Sequence, residues 1–170
     1  MSYKRLFIVD SVILSFNRLT NYSSSPFLSY NIKALQKGGK TLSSSCQRLA
    51  DIIGGEVVTS TPVCLVQRLR DIDASILGRR TRSPLALPFA LSFEDNFRGK
   101  SLNLGETVIL QDEINDFMSA LRRRGLIVTA VHNHWLFDQP RLMYMHWEDV
   151  GDAFRFADDS FEAALEAGLF

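Results

Sequence analysis

Apolar positions recur at helical spacing in three stretches of this chain and alternate like strands in most of the others. The clearest helix is predicted over 112–124, where Ile114, Phe117, Met118 and Leu121 stand at i, i+3, i+4 and i+7 and form one stripe. Asp112 and Glu113 open it and Arg122, Arg123 and Arg124 close it, each sign of charge at the helix end that favours it. Gly125 is a natural terminator. A second helix is expected from about Asp152 to Ala167, burying Phe154, Ala157, Phe161 and Leu165. A short one follows Ser43–Ser45 as N-cap candidates, with Leu49, Ile52 and Ile53 inward, and ends at Gly54-Gly55.

Between these lie strand patterns. Glu56 to Arg70 carries Val57, Val63 and Leu65 and is broken by Pro62, so it reads as a bent strand or two short ones. Ala74–Leu77, Phe89–Phe93 and Glu106–Leu110 are strands, with a loop at Thr81–Pro88 and a turn at Asn96–Gly99. Leu126–Leu136 and Arg141–Glu148 form a β-hairpin across Phe137-Asp-Gln-Pro140. The order predicts an α+β fold, a mainly antiparallel sheet with helices packed on one face.

Composition refines this picture. With 46% apolar and 22% charged residues, the chain suits a globular protein of one domain with an appendage. Residues 1–42 read as an N-terminal arm or extension, and 43–170 as the domain. Asn21–Pro26 and Lys37–Lys40 have loop composition, while the aromatic and aliphatic content of residues 1–40 speaks against a fully disordered tail, so the segment reads as a loosely attached arm or one used in self-association into a homo-oligomer. Nineteen basic and nineteen acidic residues balance, which disfavours a nucleic-acid partner. Leu6–Phe16 is too short to span a bilayer and is interrupted by Asp10, so no membrane partner and a cytoplasmic location are expected. Cys46 and Cys64 show no paired spacing and read as two thiols in a reducing compartment.

The hairpin carries all three histidines of the chain. In a strand, His132 and His134 point the same way, about 7 Å apart. His146 lies in the partner strand, and joins them or points away according to the parity of the pairing and any bulge. On a shared face, three neutral imidazoles suit a divalent metal, zinc first, with one position open for a water or a substrate oxygen. Glu113 is the candidate fourth ligand or general base, Glu106 a second carboxylate, and Tyr144 a hydrogen-bond donor from the face of His146. The alternative is a packing role, since Trp135, Phe137, Tyr144 and Trp147 lie close in sequence. His132-Asn133-His134 is not an HNH nuclease motif, whose letters are dispersed over a larger unit.

Arg68, Arg70, Arg79, Arg80 and Arg82 make a basic cluster able to grip a small anionic ligand such as a nucleotide, or else a solvated face paired with Asp71 and Asp73. The chain has no P-loop, no GxGxxG and no GxSxG elbow.

Five segments resemble one known family: Arg48–Gly55, Val63–Arg70, Leu102–Asn115, Val128–Trp135 and Pro140–Trp147. Their order over about residues 43–168 is similar to the LppY/LpqO family of bacterial proteins, a DUF1259-type domain. Glu113, His132, His134 and His146 fall in those segments, so the resemblance implies a shared site, without a reaction attached to it. The family's name comes from mycobacterial lipoproteins, but no lipobox cysteine follows the first apolar run here, so no lipid anchor is implied. The readings that follow are a metal-dependent hydrolase or lyase, a non-catalytic module for a small-molecule anion, or an oligomeric interaction protein.

Overall fold

The computed structural model describes the backbone from Lys40 and the side chains from Ser45 to Phe170. The self-association assigned to residues 1–40, and nearly all of the arm itself, lie outside the described residues. The chain order is α1 (Lys40–Ile52), β1 (Glu56–Thr59), β2 (Cys64–Leu69), β3 (Ala74–Ile76), β4 (Arg79–Thr81), β5 (Pro88–Phe97), β6 (Lys100–Ile109), α2 (Ile114–Arg123), β7 (Ile127–His132), β8 (Asp138–Gln139), β9 (Met143–Gly151) and α3 (Ala153–Glu166). Six strands form an antiparallel sheet in the order β1-β2-β5-β6-β9-β7, and three more form a small sheet, β4-β3-β8. The expected α+β class holds.

The two faces of the large sheet differ. Side chains alternate along a strand, so Met145 and Trp147 point one way, and Tyr144 and His146 the other. On the first face, Val66, Phe89, Leu91, Phe93, Met145 and Trp147 share a core with all three helices, among them Leu49 and Ile53, Phe117 and Leu121, and Phe156 and Ala157. On the second face, the small sheet and the segment before β5 cover one end, burying Val108, Leu142 and Tyr144 with Ala74, Ala86 and Leu87.

Several expectations are corrected in detail. Helix α1 begins by Lys40, so Ser43–Ser45 lie within it and do not cap it. The strand expected over 126–136 ends at His132, and the connection to β9 is not a plain turn. It contains β8, which leaves the large sheet to pair with β3.

The two cysteines are also corrected: Cys46 and Cys64 form a disulfide, Cα to Cα 5.7 Å, joining α1 to the start of β2. Their separation of 18 residues matches no motif; the helix-on-sheet packing brings them together. Closing such a loop restrains the unfolded chain and stabilises by roughly 3 kcal/mol. Disulfides belong to oxidising compartments, so the thiol argument for a cytoplasmic location falls away. Among the described residues, no helix is long and apolar enough to cross a membrane.

At α2 the expected ending is seen in full. Gly125 has φ +82°. The amide of Leu126 donates to the Leu121 carbonyl and that of Gly125 to Arg122, which satisfies two of the last free carbonyls. Arg124 pairs with Glu166 of α3 at 2.8 Å, and Arg123 pairs with it too. The arginine triplet is thus a helix terminus and a helix–helix tie.

Candidate metal centre

One irregularity in β7 decides the histidine geometry. Val128 pairs with Trp147, but Ala130 pairs with His146, Val131 with Met145 and His132 with Tyr144. Thr129 is the extra residue of a bulge, which shifts the register by one. The bulge lets Val128 and Val131, three apart, both oppose core-facing residues of β9 and pack on the helix-side core. Beyond it, Ala130 and His132 lie on the same face as Tyr144 and His146. The parity left open by the sequence therefore falls on the shared-face side.

His134 stands just past β7, in the loop, and bends back over the sheet. Its ring lies flat on Tyr144, with centroids 3.7 Å apart. The ring centroid of His132 is 4.8 Å from that of His134 and 4.9 Å from that of His146. One nitrogen of each histidine lies within 4.8 Å of those of the other two, so the group could hold a metal ion. His132 and His134 are exposed and His146 half-buried. The triad sits where the small sheet stops: Tyr144 is fully covered, and His146, two residues on, borders solvent.

The donor set suits a metal. The Nε2 atom of His146 is buried and has no hydrogen-bond partner. A buried polar atom left unpaired is costly, and a cation is one way to satisfy it. On the other side of that ring, Nδ1 is 3.7 Å from Oε2 of Glu106, in the next strand directly opposite His146. That is too long for a direct hydrogen bond and close enough for the charge to be felt. Burial holds both His134 and His146 below the ordinary imidazole value; Glu106 pulls upward, and the neighbouring imidazoles push down again. Both rings are therefore neutral at neutral pH, the form that binds metal.

Tyr144 is where the sequence suggests, but its hydroxyl proton is already committed. It donates to the Ala86 carbonyl at 2.8 Å and accepts from Trp135 Nε1 at 2.7 Å. Burial raises its pKa to about 12 against the lowering effect of the Trp135 bond, with Glu106 and Asp138 adding to the rise. It serves as a neutral platform under His134. Trp135 as the partner of Tyr144 was not foreseen; its position beside HxH was the only sequence signal.

Glu113 takes a different place from the one expected. Both its oxygens bond the Arg70 guanidinium at 2.7 Å, and Oε2 also accepts from the Leu110 amide at 2.8 Å. Burial pushes its carboxyl up, but the Arg70 bond, the Leu110 amide and the Arg70 charge together leave it below the usual range. The carboxylate that faces the triad is Glu106.

The arginine cluster divides. Arg68 donates to the Ile53 carbonyl and lies over the Phe170 ring at 4.2 Å, on the helix side of the sheet. Arg79 is exposed on β4. Arg80 and Arg82 line a cleft of about 430 Å³ with Arg70, Asp71, Ile72 and Leu87. Arg80 is paired with Asp73 at 2.9 Å, and Arg70 is committed to Glu113, which leaves the cleft with little net charge to offer an anion.

A family profile described as Domain of Unknown Function (DUF1259) matches residues 47–167. No curated protein and no solved structure matches the chain. The matched stretch contains β7, β9, the triad, Glu106 and Glu113.

Proposed function

We propose that this chain, which belongs to the DUF1259 family, holds one divalent metal ion, zinc first, on His132, His134 and His146, and uses it as a hydrolase or lyase on a small-molecule substrate. The observation that carries the reading is the triad itself: one ligand nitrogen from each of three imidazoles within 4.8 Å of the others, and on His146 a buried nitrogen without a hydrogen-bond partner. Three nitrogen ligands leave a zinc ion one coordination position, where it would polarise a substrate oxygen or lower the pKa of a water. The chain's own residues do the rest. Glu106, 3.7 Å from Nδ1 of His146, favours a positively charged centre by its charge and is a carboxylate at hand to take a proton. Tyr144 fixes the plane of His134. The disulfide favours an oxidising compartment over the cytoplasm.

Elemental analysis of protein prepared without a histidine tag tests this directly. About one zinc or similar ion per chain is expected, and His132→Ala and His146→Ala should each lose it while keeping the fold. No metal above background after zinc reconstitution would end the reading. Acid should release the ion, because protons compete for the same nitrogens. Affinity should be flat at neutral pH and fall once pH drops through the lowered values of His134 and His146, by about tenfold per pH unit for each imidazole that takes up a proton. An affinity that stayed unchanged down to about pH 4 would place the metal on other ligands.

A further inference from the structure

The loop that supplies His134 runs on through Trp135, Leu136 and Phe137, and two further turns are tied to it. Leu77 donates its amide to the Phe137 carbonyl at 3.1 Å. Trp135 and the Ala86 carbonyl meet on the Tyr144 hydroxyl, beneath His134. At these three places Leu77, Leu85, Leu136 and Phe137 are 72%, 71%, 67% and 74% exposed. A single exposed leucine needs no explanation, but Leu136 and Phe137 follow His134 and Trp135 directly in the chain, and Leu77 is bonded to the Phe137 backbone, so three of the four belong to the His134 loop or the turn tied to it.

The backbone sharpens the point. Leu77 has φ +52° and Phe137 φ +59°, a left-handed conformation in which side chains with a Cβ are strained. Leu77 and Gly78, both at positive φ, are the two central residues of the β3–β4 turn, a place that suits asparagine or glycine. Neither Leu77 nor Phe137 recovers that strain by burial. Large apolar side chains held in strained, exposed positions beside a site are there for what they touch from outside.

The geometry points to a substrate class for the proposed metal centre: a small amphiphile, an alkyl or aryl carboxylic acid or its ester, whose oxygens reach the triad while its carbon chain rests on Leu77, Leu136 and Phe137. This rests on the metal reading for the head group. The rim carries the tail independently. A single molecule is the fitting occupant because Leu136 and Phe137 follow His134 by two and three residues in one loop. An amphiphile needs one polar end and one apolar surface, and these are what residues 134–137 place side by side.

The test is titration of zinc-loaded protein with the sodium salts of acetate, hexanoate and dodecanoate, followed by tryptophan fluorescence. Trp147 is fully buried, so Trp135 is the reporter. Affinity should rise with chain length, by up to about fourfold for each methylene the rim buries fully. Leu136→Ser and Phe137→Ser should each flatten that dependence while the metal content stays at one. Phe137→Gly should flatten it with no loss of thermal stability, because glycine relieves the positive φ; this separates rim contact from damage to the fold. His132→Ala should lose the metal and still prefer dodecanoate to acetate. Absence of metal in the parent protein would remove the head-group reading and leave the chain-length dependence standing. Equal binding of all three salts, unchanged dependence in both serine variants, or a response only above the concentration at which dodecanoate aggregates would overturn the proposal.

Discussion

Glu113→Ala is expected to cost about 3–5 kcal/mol of folding free energy, the range for stripping one partner from a buried ion pair, and to leave the metal content of the folded protein unchanged. Arg70 is 5% exposed. Its guanidinium meets both oxygens of Glu113 and also donates to the carbonyls of Val108, at 3.1 Å, and Leu169, at 3.1 and 3.3 Å. The pair thus ties the end of β2 to the end of β6, to the start of α2 and to the C-terminal residues after α3. Without Glu113 the charge stays buried and two of its five hydrogen bonds are gone. Urea denaturation of the variant and its parent measures the loss, and a change under about 1 kcal/mol would mean the pair is solvated. If stability held and the metal vanished, Glu113 would return to the role of ligand. The pH dependence has a definite sign. The carboxyl is lowered in the fold, so the unfolded chain binds its proton first. The contribution is present above the ordinary carboxyl value of 4.5 and is lost as pH falls through the lowered native one.

That result would also show what the sequence leaves out for this residue. Glu113 precedes a well-patterned helix and shares family segments with the histidines, and both facts hold in the structure. What pattern does not contain is Arg70, forty-three residues away and brought in by the pairing of β2 with β5. Local periodicity gave α2 and its glycine stop, the alternating Phe89, Leu91 and Phe93, and the Pro62 break between β1 and β2, because each depends on neighbours within a few residues. The disulfide, β8 and the small sheet depend on contacts between distant segments. The histidine face lay between these cases. Strand alternation reduced it to a parity, and Thr129, the bulge residue that selects the parity, carries no signal of its own.

Gly105→Ala is expected to destabilise by about 3 kcal/mol, the upper end for overpacking a core, and to weaken the metal centre with it. Gly105 lies in the middle of β6, opposite Trp147. A Cβ there would stand 2.2 Å from Cε2 of the indole and 2.5 Å from Cζ2, closer than any real contact, so the ring must move. It has little room. Its Nε1 donates to Ser160 Oγ at 2.9 Å, it meets Phe117 edge-on at 5.3 Å, and Phe89 is 5.8 Å away. Trp147 is 1% exposed and is the largest fully buried side chain among the described residues. Displacing it breaks a buried hydrogen bond or pushes β9 outward, and β9 carries His146 as the very next residue toward its start. The core on one face and the triad on the other share this backbone, so a strain entered at Gly105 reaches the imidazole through a single peptide unit. Calorimetry and metal titration of the variant should therefore fall together, whereas His146→Ala should lose the metal with the core intact. A Gly105→Ala protein that lost stability but bound metal as tightly as its parent would show that the sheet insulates one face from the other.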